Sequence, residues 1–194
     1  MYNVNTCRFK RCLTVPQARI ASDMTSCEYY LCVYIGDNTV QCIHRVEIQG
    51  ATTQWPVNDG PSGLSVNKAH NVLVTCRAAR KIKEFSSYGD KLREVTLPDD
   101  VVNPWHTLQL TSGKFIVCHG TSGDSVHRVC LMREDNGEIV HSYGGQRGSD
   151  VLSYLAMDYY EFVFVADDVN RRVTLLSLTL GYVRQVVSCD KLKW

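Results

Sequence analysis

The sequence lacks any long apolar run, and it also lacks an excess of charge of either sign. No segment of its 194 residues approaches the roughly 18 consecutive apolar residues of a membrane span. The polar N-terminus has no apolar core of a secretory signal. Its 21 Lys and Arg against 20 Asp and Glu give a net charge of +1, which argues against a strongly basic nucleic-acid-binding module. With 44% hydrophobic and 21% charged residues the chain has the composition of a globular protein, not a disordered one. We therefore expect a soluble cytoplasmic protein without a membrane partner.

Recognisable catalytic and metal-binding motifs are also missing. The chain contains no G-x-S-x-G, no H-E-x-x-H, no P-loop and no Rossmann glycine pattern. Its nine cysteines form no C-x-x-C pair, and an odd number without a secretion signal favours buried reduced thiols over a disulfide framework. We therefore expect no metal and no cofactor. Cys27 and Cys32 flank a predicted hairpin turn and would lie close enough to bond if oxidised, which the sequence leaves open.

A four-fold internal repeat accounts for most of the chain. Each unit contains a short apolar strand, a turn, a second apolar strand, a polar loop and two further strands. The second strands are Cys32–Asp37, Asn71–Cys76, Lys114–His119 and Phe162–Asp167. No segment keeps a helical period for ten residues, and Val, Ile, Phe, Tyr and Thr are frequent in the strands. Four strands in a unit of roughly 43 residues are typical of a β-propeller blade.

The repeat also gives the predicted organisation of the chain. We place the four blades at about 18–60, 61–102, 103–150 and 151–190. Residues 1–17 would form the outer strand of a preceding blade, at Arg11–Val15, or an N-terminal extension.

The fourth repeat resembles the core of an NHL repeat. Val165–Val173 contains a small residue followed by D-x-x-N-x-R-V, and Cys42–Glu47, Asn71–Phe85 and Pro104–Val129 are similar to NHL propellers of tripartite-motif (TRIM) and related proteins. The repeats depart from the pattern where Cys76 and His119 replace the aspartate, and where Val40 and Cys42 stand for Asn and Arg.

The resemblance implies a normally six-bladed ring, of which this chain would supply about four blades. It further implies a non-catalytic scaffold that binds a protein partner, the remaining blades or another chain. No RING module is present, so any ubiquitin-ligase activity of a TRIM-type relative would be absent from this chain.

Candidate binding residues lie in the loops that a propeller gathers on one face. They are Arg77, Arg80, Lys81, Trp105, His106, His119 and Arg171, with Asp124, Tyr154 and Asp168 nearby. The basic stretch 76–83 together with Trp105 suggests RNA binding through phosphate contacts and base stacking. The alternative for the basic loop is an ordinary solvated surface.

A second group of polar residues ends the second strands. We interpret Asp167, Asn170 and Arg172 as structural, because Asp and Asn satisfy backbone groups in tight loops and Arg pairs with Asp. The alternative function is a propeller hydrolase or lyase, in which Asp37, Cys76, His119 and Asp167 would converge on a central metal.

Overall fold

The computed structural model describes residues 2–3, 8–9, 15, 18–121, 126–145 and 152–188. All regular structure in these residues is β-strand, and none of them forms a helix that is long and apolar enough to cross a membrane. Most of the predicted strand Arg11–Val15 lies outside the described residues. A short antiparallel pair, β1 (Tyr2–Asn3) and β2 (Arg8–Phe9), precedes the repeats.

The other sixteen strands form four antiparallel sheets, each of four strands paired in chain order. Blade 1 contains β3 (Ala21–Cys27), β4 (Cys32–Asp37), β5 (Cys42–Glu47) and β6 (Thr52–Pro56). Blade 2 contains β7 (Gly63–Val66), β8 (Val72–Cys76), β9 (Lys81–Phe85) and β10 (Lys91–Thr96). Blade 3 contains β11 (Pro104–Gln109), β12 (Phe115–Thr121), β13 (Val126–Met132) and β14 (Ile139–Gly144). Blade 4 contains β15 (Leu152–Met157), β16 (Val163–Asp167), β17 (Arg172–Leu176) and β18 (Tyr182–Ser188).

The blades stack face to face, and their first strands are neighbours in the order β3, β7, β11 and β15. Three apolar clusters fill the spaces between successive blades. Val74, Val117 and Val165 are fully buried at the same register of the second strand, opposite Leu64, Thr107 and Leu155. This equivalence confirms an all-β propeller arrangement of four blades.

Polar contacts add to the apolar packing between blades. The Tyr34 hydroxyl of blade 1 and Ser87 Oγ of blade 2 lie 2.6 Å apart.

A buried polar network also lies within blade 2. There the Glu84 carboxylate accepts hydrogen bonds from Asn67 and Asn71, at 2.9 and 2.7 Å, and from Arg93. Because a buried carboxylate needs such partners, Glu84 depends on all three of them.

The first strand carries the same irregularity in three blades. A β-bulge places one extra residue near the start of β3, β11 and β15, and the extra residues are Ser22, Trp105 and Ser153. A bulged residue lies outside the regular ladder, so its side chain is directed differently from those of the strand. The three bulges lie at the edge of the propeller where the loops of the candidate site converge.

The cysteines of the described residues are free thiols. All six cysteines of the described residues, including Cys27 and Cys32, are buried and form no disulfide. Cys27 and Cys32 are directly opposed partners on β3 and β4, as expected for a pair that flanks a hairpin turn.

Candidate functional site

A cleft among the described residues lies on the face of the propeller that carries the turns between second and third strands. We call this the loop face; its turns include 38–41, 77–80 and 168–171, and the connections 57–62 and 97–103 lie there as well. The cleft has a volume of about 700 Å³, and all four blades or their connections contribute to its lining. Four amide side chains, from Asn38, Gln41, Asn58 and Asn103, line it together with hydroxyl, aromatic and charged groups.

A stacked pair of side chains dominates the cleft. The guanidinium carbon of Arg77 lies over the Trp105 ring, 3.6 Å from the ring centroid, which is within the range of a cation–π contact. Trp105 reaches this position from the bulge of β11, and the backbone N–H of Arg77 donates to Ser62 Oγ at 3.2 Å. The two predicted binding residues are therefore brought together, and the arginine is held in one place by cation–π attraction.

Among the residues that the structure describes, the cleft lining contains one further charged side chain, Asp59. Its carboxylate is 2.5 Å from the Nζ of the buried Lys83, which also donates to the Val57 carbonyl at 2.6 Å. Because Lys83 neutralises Asp59, the positive charge of Arg77 is the uncompensated charge of the cleft lining.

The two other basic residues of the predicted patch lie beside the cleft, not in it. Arg80 pairs with Asp99 at 2.8 Å and Lys81 pairs with Glu94 at 2.6 Å. The hydrogen bonds from Lys81 and Lys91 lower the pKa of Glu94 to about 2. Of the three predicted RNA-binding cations, Arg80 and Lys81 thus already have a carboxylate partner.

His106 lies under the cleft at the innermost strand. Its imidazole is buried. The Nε2 atom donates to the Leu64 carbonyl at 2.8 Å and lies 3.6 Å from Asp23 Oδ2. Burial lowers the pKa of His106, while Asp23 and the Leu64 carbonyl act in the opposite direction. Tyr154 lies beside His106 and also lines the cleft: its ring centroid is 6.2 Å from that of the His106 ring.

The two remaining predicted binding residues occupy different environments. His119 is buried, and its Nε2 has no hydrogen-bond partner in the described part of the chain. Burial, Arg128 and His127 lower the pKa of His119 to about 4. Arg171 is exposed at a left-handed turn position, with φ of 48°. Asp124 lies outside the described residues.

The residues that end the second strands hold their own blades together. Asp167 accepts hydrogen bonds from Asn170 Nδ2 at 2.8 Å and Arg172 Nε at 2.9 Å. Burial raises the pKa of Asp37, but the backbone N–H groups of Arg19, Val40, Thr39 and Ile20 lower it by more, so that it lies below its usual value.

These positions do not converge on a shared centre. Cys76 is buried in the apolar cluster between blades 1 and 2, and burial raises the pKa of its thiol to about 12. Within the described ranges, no three His, Cys, Asp or Glu side chains are grouped closely enough to bind a metal ion.

Sequence reasoning missed most of the cleft lining. The amides Asn38, Asn58 and Asn103 come from turns, where they are also common for purely conformational reasons. Asn58 and Asn103 have positive φ, of 67° and 48°. The sequence did contain one signal for these residues. Asn58 and Asn103 lie in the connections 57–62 and 97–103, which hold equivalent places in the repeat and therefore lie on the same loop face.

Solved structures with the same fold include several enzymes. A streptogramin B lyase matches with a TM-score of 0.67 and 18% identity, over 89% of this chain and 56% of that chain. A catalytically inactive variant of virginiamycin B lyase from Staphylococcus aureus with quinupristin matches with a TM-score of 0.67 and 16% identity, over 90% and 58%. Hydrazine synthase of Kuenenia stuttgartiensis matches with a TM-score of 0.63 and 15% identity, over 93% and 60%. This chain therefore spans somewhat more than half the length of each of these structures.

These matches support the propeller fold and correct one expectation. The expectation that the chain is not an enzyme was wrong, because the structures that it resembles include lyases and the fold gives no ground for excluding catalysis. No protein-family model matches the sequence, and no curated protein matches it. The comparisons thus give no evidence for an NHL or TRIM relationship.

Proposed function

We propose that this chain is a ligand-binding β-propeller that takes a small organic molecule in the loop-face cleft. The observation that carries the proposal is the cleft itself. Its volume of about 700 Å³ lies within the range of roughly 300–1,000 Å³ that small-molecule sites occupy. Its lining combines aromatic rings with a few directed polar groups, the combination that fixes the orientation of a small ligand.

Filling the cleft tests this proposal. Ala78 is exposed and lines the cleft, so Ala78→Trp blocks the space without disturbing the core. Ala69 is an equally exposed alanine in the turn 67–70, far from the cleft lining, and Ala69→Trp is the matched control. We expect compounds from a fragment library that bind the unmodified chain and the Ala69→Trp variant, in ligand-observed NMR, to lose binding in Ala78→Trp. Equal binding to all three proteins contradicts the proposal.

The second candidate function is lyase catalysis in the same cleft. The likeness to streptogramin B and virginiamycin B lyases supports it at the level of the fold. A version that relies on a metal held by Asp37, Cys76, His119 and Asp167 has no support from the geometry, because Asp37 and Asp167 are engaged within their own blades. Incubation with quinupristin, followed by chromatography, tests the candidate. Conversion that is lost in Ala78→Trp supports it, and unchanged quinupristin contradicts it for that substrate.

The sequence alone favours a different proposal, a cytoplasmic NHL-type scaffold that binds a protein or an RNA at the loop face. For RNA it rests on Arg77, Arg80 and Lys81, of which Arg80 and Lys81 are already paired with carboxylates. A labelled single-stranded RNA oligonucleotide tests it at several salt concentrations. If the double variant Arg80→Ala/Lys81→Ala binds as tightly as the unmodified chain, these two residues are not an RNA site.

A further inference from the structure

The orientation of Arg77 determines which of its hydrogen-bond donors are available. A guanidinium is a flat group whose five N–H donors point outward in its own plane. Because the Arg77 guanidinium lies over the Trp105 ring at 3.6 Å, the ring restricts where these donors lie, and the hydrogen bond that Arg77 donates to the described residues comes from its backbone N–H and not from the guanidinium. Two parallel N–H groups held in one plane match the two oxygens of a carboxylate or a phosphate.

Arg77 differs in its partners from the cations around it. Arg80, Lys81 and Lys83 each contact a carboxylate, namely those of Asp99, Glu94 and Asp59. No carboxylate among residues 18–120, 127–145 and 152–187 forms an ion pair with Arg77. Arg77 as a residue is also only partly exposed, so an anion bound to it in the cleft would be shielded from water more than at a fully exposed arginine, and the charge–charge attraction would be stronger.

Two carboxylates lie near the place of a bound anion: Asp59 in the lining, and Asp23 beneath it, which accepts from the Leu64 N–H at 2.7 Å and lies 3.6 Å from His106 Nε2. The Asp59 carboxylate is neutralised by Lys83 at 2.5 Å, and Asn38, Gln41 and Asn103 provide neutral amides that can donate hydrogen bonds to oxygen. The half-exposed Tyr154 ring forms an apolar wall beside them.

We propose that the cleft selects a small organic anion, and that the carboxylate or phosphate group of this ligand binds the edge of the Arg77 guanidinium while its apolar part lies against Tyr154. The inference rests on the proposed function, because it names the chemical class of ligand for the same cleft. It makes Arg77 the specificity-determining residue and Trp105 the residue that positions it.

Pairs of aromatic compounds that differ in charge test the inference. The probes are phenyl phosphate, benzoate and the neutral benzamide, and the assay is ligand-observed NMR with titration. We expect the anions to bind more tightly than benzamide, and Arg77→Gln to weaken the binding of the anions by about 10- to 100-fold, the effect of losing hydrogen bonds to a charged group. Arg77→Lys should restore only part of the affinity, because lysine keeps the charge but not the planar pair of donors. Arg80→Gln is the matched control, since it removes a neighbouring cation that is already paired with Asp99, and it should leave binding unchanged.

The outcomes separate this inference from the proposed function. If neutral and anionic probes bind equally, and Arg77→Gln affects neither while Ala78→Trp abolishes both, the cleft is a ligand site and the anion inference is wrong. If no anion binds the unmodified chain, the inference is wrong as well, and the fragment library then decides the proposed function separately. Preference for phenyl phosphate over benzoate would identify a phosphate ligand, and the opposite preference a carboxylate.

Discussion

Gly63 is the residue whose replacement by alanine should disturb this propeller most for the smallest chemical change. It occupies in blade 2 the register position that Asp23, His106 and Tyr154 occupy in the other blades. A Cβ atom at Gly63 would lie 2.3 Å from the carbonyl oxygen of Trp105 and 3.0 Å from the Cα of His106. Both are backbone atoms of blade 3, so no side-chain rotation can relieve the contact.

The expected loss in the free energy of unfolding follows from the size of this steric overlap. Adding a methyl group to a close-packed region costs about 1–3 kcal/mol, and we expect the upper end here because two strands of different blades must separate. For a chain of this size a loss of about 3 kcal/mol lowers Tm by roughly 6–12 °C. The displacement also moves the backbone that carries Trp105, so the stack with Arg77 should loosen and binding in the cleft should weaken.

Thermal unfolding followed by circular dichroism measures this effect. The matched control is Gly181→Ala, since Gly181 is exposed and a Cβ there would meet only the Ser177 hydroxyl, at 3.1 Å. We expect Gly181→Ala to melt within about 2 °C of the unmodified chain. If Gly63→Ala also melts within about 2 °C of the unmodified chain, the close approach of blades 2 and 3 described above is incorrect.

Three further predictions concern buried polar groups. Because the pKa of His119 is lowered to about 4 from about 6.5 in the unfolded chain, the unfolded chain binds the proton more tightly. The free energy of unfolding should therefore fall as pH drops from about 6.5 towards 4, by about 2 kcal/mol at pH 5, and urea unfolding of His119→Gln should show a smaller fall. Glu84→Ala should lower the free energy of unfolding by about 2 kcal/mol, since it removes the acceptor shared by Asn67, Asn71 and the partly exposed Arg93, whereas the exposed Glu138→Ala should cost under about 1 kcal/mol; equal losses would contradict this ranking. Tyr34→Phe should cost about 1 kcal/mol in the same assay through its 2.6 Å contact with Ser87, and Ser87→Ala added to it should cost little more; fully additive losses would show that the two groups do not interact.

The sequence predicted the blades well because a blade is a local pattern repeated. Three second strands end at Asp37, Cys76 and Asp167 in the structure as they do in the prediction, since apolar runs between turn residues define them. The second strand of blade 3, predicted to end at His119, continues to Thr121. The spacing of Val74, Val117 and Val165 then fixes how one sheet stacks on the next.

The cleft was predicted only in part, for physical reasons. Arg77 and Trp105 belong to blades 2 and 3, and nothing in their sequence neighbourhoods indicates a 3.6 Å stack. Arg80 and Lys81 read as free cations in the sequence because their partners, Asp99 and Glu94, lie on the outer strand or just after it, and only sheet pairing brings them close.

The recurrent bulge separates what holds the sheet together from what a ligand meets. Its three members, Ser22, Trp105 and Ser153, stand outside the register of paired residues, so none of them faces a partner residue on the second strand. A hydroxyl at two of these places and an indole at the third show that the same backbone accommodates very different chemistry there. The Ser22 hydroxyl donates to the Gly36 and Pro61 carbonyls, and Trp105 packs against an apolar cluster between blades. One backbone irregularity thus serves a structural contact in one blade and an aromatic contact in another, so its residues can diverge in role while the strand pairing around them stays the same.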